Sequence, residues 1–294
     1  MSKIDVNGVG VHYQTKGDGP PVILVHGLTA SIAFWYNTKV FPELINQFRV
    51  TAYDLKGHGY SQSTPTGYTS RDLAGDLVAL MDTLGIERAR IIGHSYGGSV
   101  TLHFALLYPD RCDGIVLCDT GFAALRHLRT IDHWPGWEMW KNELPEFGIT
   151  PEWFNRADQQ GIDTILRKSL EIPVQFGMRR GGSRDTPRFR KLLEETTLAA
   201  DFRDASGLCE ESLPDITPPV MAVYGEISPF KNVASYLSET LPNCVGEIVP
   251  GVGHFFLLHA PDAFLDRVTP FLRDPAEYVR AAKLPCETGS QPSQ

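Results

Sequence analysis

Cysteines are few in this chain and share no arrangement that suggests a common task. The five, Cys112, Cys118, Cys209, Cys244 and Cys286, are an odd number in 294 residues. They show neither the close pairs of a zinc site nor the dense framework of a small secreted domain. They are expected to be buried free thiols in a reducing compartment, which places the protein in the cytoplasm. Long apolar runs are missing too. Val22-Ile23-Leu24-Val25 has the length of a strand, far below the roughly 20 residues of a membrane span. No early stretch joins a basic start, an apolar core and a small-residue cleavage site, so no leader is expected. Positive charge is in deficit, with 27 Lys and Arg against 35 Asp and Glu and a formal net charge of −8. With an isoelectric point near 5.6, nucleic acid and anionic membrane surfaces are poor partners. No internal repeat is present. What remains is a chain long enough to bury a sizeable core and expected to meet small molecules.

Strand and helix signals alternate through the first 119 residues. Residues 4–16 alternate in polarity around Asn7-Gly8, the signal of an opening hairpin. Val22–Val25 reads as a buried strand ending at His26-Gly27, and Arg49–Tyr53 as another ending at Asp54 and the turn-rich Lys56-Gly57-His58-Gly59. Ser70 is positioned to cap a helix whose Leu73, Leu77, Leu80, Met81 and Leu84 recur at helical spacing before Gly85. Gly114–Cys118 is the next strand signal, ending at Asp119. Such alternation implies α/β class, a mostly parallel, doubly wound sheet covered by helices on both faces.

From residue 120 to 213 the alternation stops. Four of the five tryptophans (Trp134, Trp137, Trp140 and Trp153) fall in this stretch, with helical segments expected at 151–170 and 186–200. Strand-like Val220–Tyr224 resumes the pattern after Pro218-Pro219. A helix near 231–241, a strand near 245–249 and a helix at 261–273 follow. The implied organisation is a core of residues 1–119 and 214–273, an inserted helical segment at 120–213, and an extension at 274–294 whose polar end, from Glu287, is expected to be disordered.

The stretch with most chemical content is Gly93-His94-Ser95-Tyr96-Gly97. A short β-branched run, Ala89–Ile92, precedes it, and a helical pattern from Gly98 to Leu107 follows. That is the context of a nucleophile elbow, where a sharp turn leaves a serine hydroxyl exposed at the end of a strand. Glycines two residues either side of Ser95 remove side chains that would clash across the turn. A hydroxyl becomes a useful nucleophile when a base takes its proton, and His254, just past the last strand signal, is the best placed base. His94 sits beside the nucleophile facing the other way, His58 belongs to a turn, His103 lies two helical turns down, and His259 is expected to begin the terminal helix.

His26-Gly27 after one strand, Asp54-x-x-Gly57-His58-Gly59 after the next, Gly93-x-Ser95-x-Gly97, and the late Gly253-His254 together resemble the α/β-hydrolase fold family. The resemblance runs from the opening hairpin to about residue 273. It implies a helical cap over the site at 120–213, and an oxyanion hole from the backbone N–H groups of Leu28 and Tyr96. Relatives with an aspartate nucleophile, the epoxide hydrolases and haloalkane dehalogenases, are disfavoured by the serine at 95. The third member of the triad departs from the family pattern, because the loop that carries the acid reads Gly225-Glu226-Ile227-Ser228 with serine in the aspartate's place. Asp119, one strand earlier, and Glu226 are the two candidate replacements, and an incomplete dyad is the remaining option. The cap aromatics, Trp137 and Trp140 among them, suggest an apolar roof, and Arg179, Arg180 and Arg184 are candidate carboxylate ligands. The family implies a cofactor-free serine esterase acting on a small apolar ester, thioester or lactone. The alternatives are cleavage of a carbon–carbon bond in a dienoic ketone acid by the same residues, and a binding protein that retains the fold. Neither metal nor cofactor is implied, since Asp54 and His58 read as a turn signature.

Overall fold

Asn7 and Gly8, with φ of 54° and 79°, turn the chain back between β1 (Lys3–Val6) and β2 (Val9–Lys16). Positive φ at both central residues is what a two-residue hairpin requires. The computed structural model describes residues 2–129 and 186–284. The other strands are β3 (Pro21–Val25), β4 (Arg49–Tyr53), β5 (Ala89–His94), β6 (Cys112–Cys118), β7 (Val220–Gly225) and β8 (Cys244–Val249). They form one sheet in the order β1-β2-β4-β3-β5-β6-β7-β8. β1 and β2 pair antiparallel, as do β2 and β4, and every pairing from β4 onward is parallel.

The described helices are α1 (Ile32–Asn37), α2 (Val40–Leu44), α3 (Ser70–Thr83), α4 (Tyr96–Leu107), α5 (Thr186–Glu195) and α6 (Leu198–Asp201), then α7 (Lys231–Thr240), α8 (Phe256–His259), α9 (Pro261–Arg273) and α10 (Pro275–Lys283). Side chains alternate across a strand, and the sheet sorts its residues accordingly. Val22 and Leu24 of β3 join Trp35, Phe41, Phe264, Val268 and Phe271 on one face. Ile23 and Val25 join Leu73, Leu77, Val100, Phe104, Val233 and Leu237 on the other. Burial on both faces explains why the central strands are apolar throughout.

Three local readings are corrected. Thr69, not Ser70, caps α3. Its hydroxyl accepts from Asp72 N–H at 3.0 Å, while the Asp72 carboxylate accepts from Thr69 N–H at 3.2 Å. Ser70 is the first helical residue, and its buried hydroxyl bonds to His103 Nδ1 at 2.8 Å. His259 ends the short α8 rather than opening α9. The extension after 273 begins with a further helix, because Asp274 caps α10 by accepting from Glu277 N–H at 3.0 Å and Pro275 fits its first turn. α10 packs on the core so closely that a Cβ on Gly114 would lie 2.7 Å from Pro275 Cβ. The tail from Glu287 and the expected helix at 151–170 lie outside the described residues. No helix among the described residues is long and apolar enough to cross a membrane. Cys112, Cys118 and Cys244 are buried free thiols and Cys209 is a half-buried one. Burial pushes the Cys112 and Cys244 thiols up to about 12.

Candidate active site

Ser95 stands between β5 and α4 with φ 54° and ψ −122°, a conformation an L-residue holds only under close constraint. The constraint is visible around it. A Cβ on Gly97 would lie 2.2 Å from the Val25 carbonyl oxygen, and one on Gly93 would lie 2.4 Å from that of Gly97. Ser95 N–H donates to Cys118 O at 3.0 Å, tying the turn to the end of β6. Tyr96 is the first residue of α4, so its N–H has no acceptor within the helix. Gly27 abuts the serine, since a Cβ there would sit 2.9 Å from Ser95 Cβ. The next N–H, that of Leu28, has no hydrogen-bond acceptor among the described residues.

At the end of β6 a second non-glycine residue takes positive φ: Asp119, at 49°. Its side chain is fully buried. Oδ2 accepts from Gly225 N–H at 2.9 Å, and Oδ1 accepts from the Ser228 hydroxyl and from His254 Nδ1 at 2.9 Å. Three hydrogen bonds to one carboxylate are what make a buried charge tolerable. Asp119 N–H donates to Val223 O at 3.0 Å, and the Tyr224 hydroxyl donates to Thr120 O at 2.8 Å, fixing the bend that aims the carboxylate. An ionised carboxylate only accepts, so His254 carries its proton on Nδ1 and Nε2 is left with a free lone pair. Among the described residues no hydrogen bond joins Ser95 Oγ to His254, a contact that in free enzymes often tightens only once substrate is bound.

Of the two candidate acids, then, Asp119 meets the histidine. Glu226 does not, because its Oε2 accepts from Gly251 N–H at 2.8 Å, outside this cluster. Ser228, at first only a missing aspartate, has a task of its own. Its hydroxyl donates to Asp119 Oδ1 and accepts from Phe230 N–H at 3.1 Å, so the loop that lacks the acid still supports it. The serine's place in the Gly225–Ser228 turn was the available signal.

His94, which the sequence places beside the nucleophile facing the other way, packs against the candidate base. Its ring lies between Phe34, with centroids 4.6 Å apart, and His254, at 5.0 Å, and its Nε2 donates to the His254 carbonyl at 3.1 Å. Burial first, then the neighbouring His254, pushes its pKa down to about 3, so the ring is neutral. His26 and His58 form a buried tier beneath the site. His26 Nδ1 donates to Gly27 O at 2.8 Å, and its Nε2 accepts from Leu55 N–H at 3.0 Å. Asp54 gathers His12 Nδ1 at 2.7 Å, Ile32 N–H at 2.7 Å and Tyr60 N–H at 2.8 Å. The Asp54-to-Gly59 motif is therefore a brace for the loops after β3 and β4.

α5 and α6 come from the 120–213 stretch. Leu192, Leu193 and Leu198 are buried in a cluster with Tyr68, against which Leu28 packs, and Phe202 meets Tyr96 edge-on at 4.8 Å. Arg188 donates to the carbonyls of Gly59 and Ser61. Phe122, an aromatic at the start of the 120–213 stretch, is buried in the main core rather than in a roof over the site. Trp137, Trp140, Arg179, Arg180 and Arg184 lie outside the described residues.

Comparison with known proteins agrees with this fold. A family model described as alpha/beta hydrolase fold matches residues 20–261. A soluble epoxide hydrolase of Corynebacterium sp. (strain C12) is 28% identical over 279 residues, 90% of this chain and 94% of that protein. A putative carbamate hydrolase of Caulobacter sp. (strain K31) is 30% identical over 272 residues, 89% of this chain and 94% of its own. Among solved structures, a thermophilic esterase from Thermogutta terrifontis superposes with a TM-score of 0.64 at 23% identity, covering 94% of this chain and 100% of that one. The chain belongs to the α/β-hydrolase fold family, and the two relatives described above, each matched along about nine-tenths of this chain, are named as hydrolases.

Proposed function

We propose that the protein hydrolyses a carboxylic ester, with thioesters and lactones as close variants, through an acyl-enzyme on Ser95. The observation that carries the reading is the 2.9 Å bond from His254 Nδ1 to the buried Asp119 carboxylate, at strand ends beside a strained serine. Asp119 keeps the His254 proton on Nδ1 and stabilises the imidazolium. Nε2 takes the Ser95 proton as Oγ bonds to the substrate carbonyl carbon. The Leu28 and Tyr96 N–H groups receive the negative charge on the carbonyl oxygen, where removal of a single donor has cost about 2.7–4 kcal/mol elsewhere. Collapse of the tetrahedral species breaks the bond to the leaving oxygen, which takes the proton from Nε2. Water then gives a proton to Nε2, attacks the acyl carbon and frees Ser95 and the acid. These steps need no cofactor.

One relative is named as an epoxide hydrolase, and the serine argues against that chemistry here. Opening an epoxide with Ser95 would leave an ether, with no carbonyl for water to attack. We further propose that residues 120–213 form a cap that roofs the site and selects the acyl group, in line with the packing of α5, α6 and Phe202 over Tyr68, Leu28 and Tyr96. The test is pre-steady-state turnover of a 4-nitrophenyl ester. A burst of nitrophenol equal to the enzyme concentration, absent in Ser95→Ala, is expected; turnover that survives in Ser95→Ala ends the reading.

A further inference from the structure

Arg129 lies ten residues after Asp119, at the C-terminal end of a short, kinked 3-10 segment, Ala123–Leu128. Its guanidinium stands 5.1 Å from the centroid of the Phe230 ring, and that ring meets His254 edge-on at 5.2 Å. One aromatic ring therefore separates a cation from the candidate general base. The arrangement is held on both sides. Phe230 is fixed by its N–H to Ser228 and by Gly121, where a Cβ would lie 2.3 Å from Phe230 Cε1. The Arg129 segment is held by buried Leu125 and by Asn232, whose side-chain amide donates to Leu128 O at 3.3 Å.

Arg88 and Arg90 pair with Asp113, Arg111 with Asp82 and Arg267 with Glu247. Arg129 has no acidic partner among the described residues; its Nε, like those of Arg90 and Arg267, is buried without a hydrogen bond, but those two have a carboxylate within 3.6 Å. Burial and then the like charge of Arg126 lower its pKa, yet a guanidinium stays charged throughout the working range. An unsatisfied donor on a desolvated cation is costly, and the Phe230 face offsets only part of that cost. An otherwise acidic molecule holds this charge one ring from its candidate catalytic histidine, in a planar fork that matches a carboxylate.

We propose that Arg129 anchors a carboxylate of the substrate, so that the site takes acyl compounds bearing a second, anionic carboxyl group a few carbons from the carbonyl that is attacked. The inference rests on the acyl-enzyme reading above for where the carbonyl sits, and it narrows the substrate from an apolar ester to a half-ester, a lactone acid or a ketone acid. The carboxylate lies beyond Phe230 from His254, with the connecting carbons along the ring.

Two paired measurements test it. The first compares kcat/KM for 4-nitrophenyl hydrogen adipate with that for 4-nitrophenyl hexanoate, which replaces the terminal carboxylate by a methyl group. The wild-type protein should prefer the adipate ester, and Arg129→Gln should reduce that ratio at least tenfold, mainly through KM, with Arg129→Lys between the two. The second is calorimetric binding of adipate itself to the wild type, Ser95→Ala and Arg129→Gln, which needs no turnover. Adipate should bind the first two alike and Arg129→Gln at least tenfold more weakly. An adipate-to-hexanoate ratio unchanged in Arg129→Gln, or equal adipate affinity in all three proteins, overturns the anchor while leaving the acyl-enzyme reading intact. Adipate binding that needs Arg129, with neither ester turned over, supports the anchor and removes the acyl-enzyme reading instead. Far-ultraviolet circular dichroism of both Arg129 variants excludes misfolding as the cause.

Discussion

Asp119→Asn keeps the size of the side chain and removes its charge, and the surroundings of Asp119 set the consequence. The carboxylate accepts at both oxygens, from Gly225 N–H on one and from Ser228 and His254 on the other. An amide cannot accept at both ends. With its nitrogen toward Gly225, two N–H donors face each other. With its nitrogen toward His254, the ring can accept at Nδ1 only by moving its own proton to Nε2. In that tautomer His254 cannot take the Ser95 proton. The corresponding change in a well-studied serine protease lowers kcat about 10⁴-fold, or about 5.4 kcal/mol at about 1.36 kcal/mol per decade. Ser228 can turn its hydroxyl to accept from the amide, so the expected fall in kcat/KM is about 10³- to 10⁴-fold. Glu226→Gln should change it less than twofold, because an amide oxygen can still accept from Gly251. Adding Ser228→Asp to Asp119→Asn should restore part of the loss, since the side chain at 228 already reaches the oxygen that His254 uses. The assay is 4-nitrophenyl butyrate hydrolysis, with circular dichroism to confirm folding. A loss under tenfold in Asp119→Asn, or a collapse in Glu226→Gln, refutes the assignment of the acid.

Two further outcomes are expected. Trp137→Ala and Trp140→Ala should shift acyl-chain preference and raise KM with the fold intact, measured across C2 to C10 aryl esters; unchanged selectivity in both counts against a roof built from them. His58, pushed down to about 4 by burial and then by its neighbour His26, is neutral when folded but titrates near 6.5 when unfolded. Its contribution to stability is present above pH 6.5 and lost as pH falls from 6.5 to 4, at up to about 1.4 kcal/mol per unit. His58→Asn, whose amide can replace the Nδ1–H bond to Lys56 O, should flatten the decline of urea-unfolding free energy across that window, and an unchanged slope would contradict the buried neutral state.

The central sheet was legible because strands buried on both faces are apolar runs bounded by turn residues, as at Val22–Val25 and Arg49–Tyr53. Ser95 and His254 were legible because an elbow needs glycines and a late histidine follows a strand. Harder to read was anything set by contact between distant segments. Choosing Asp119 over Glu226 depended on which side chain turns inward, and Gly251 N–H decides that for Glu226. The support from Ser228, the bond from His94 to the His254 carbonyl and the placement of Arg129 over Phe230 join residues between 101 and 160 positions apart. No periodicity reports such contacts. Thr69 and Ser70 are both good caps, and the Asp72 side chain decided between them through a reciprocal bond. α10 was missed because Asp274-Pro275 reads equally as a chain break and as a helix start.

The account stands on Ser95 as the covalent nucleophile, and a single labelling measurement addresses it directly. An aryl organophosphonate should add one phosphonyl group per chain, seen by intact mass, and peptide mapping should place it at Ser95. The adduct should be absent in Ser95→Ala and form at least 10²-fold more slowly in Asp119→Asn, in which His254 no longer receives the serine proton. A label on any other residue, or none on a protein that turns over esters, would contradict the account.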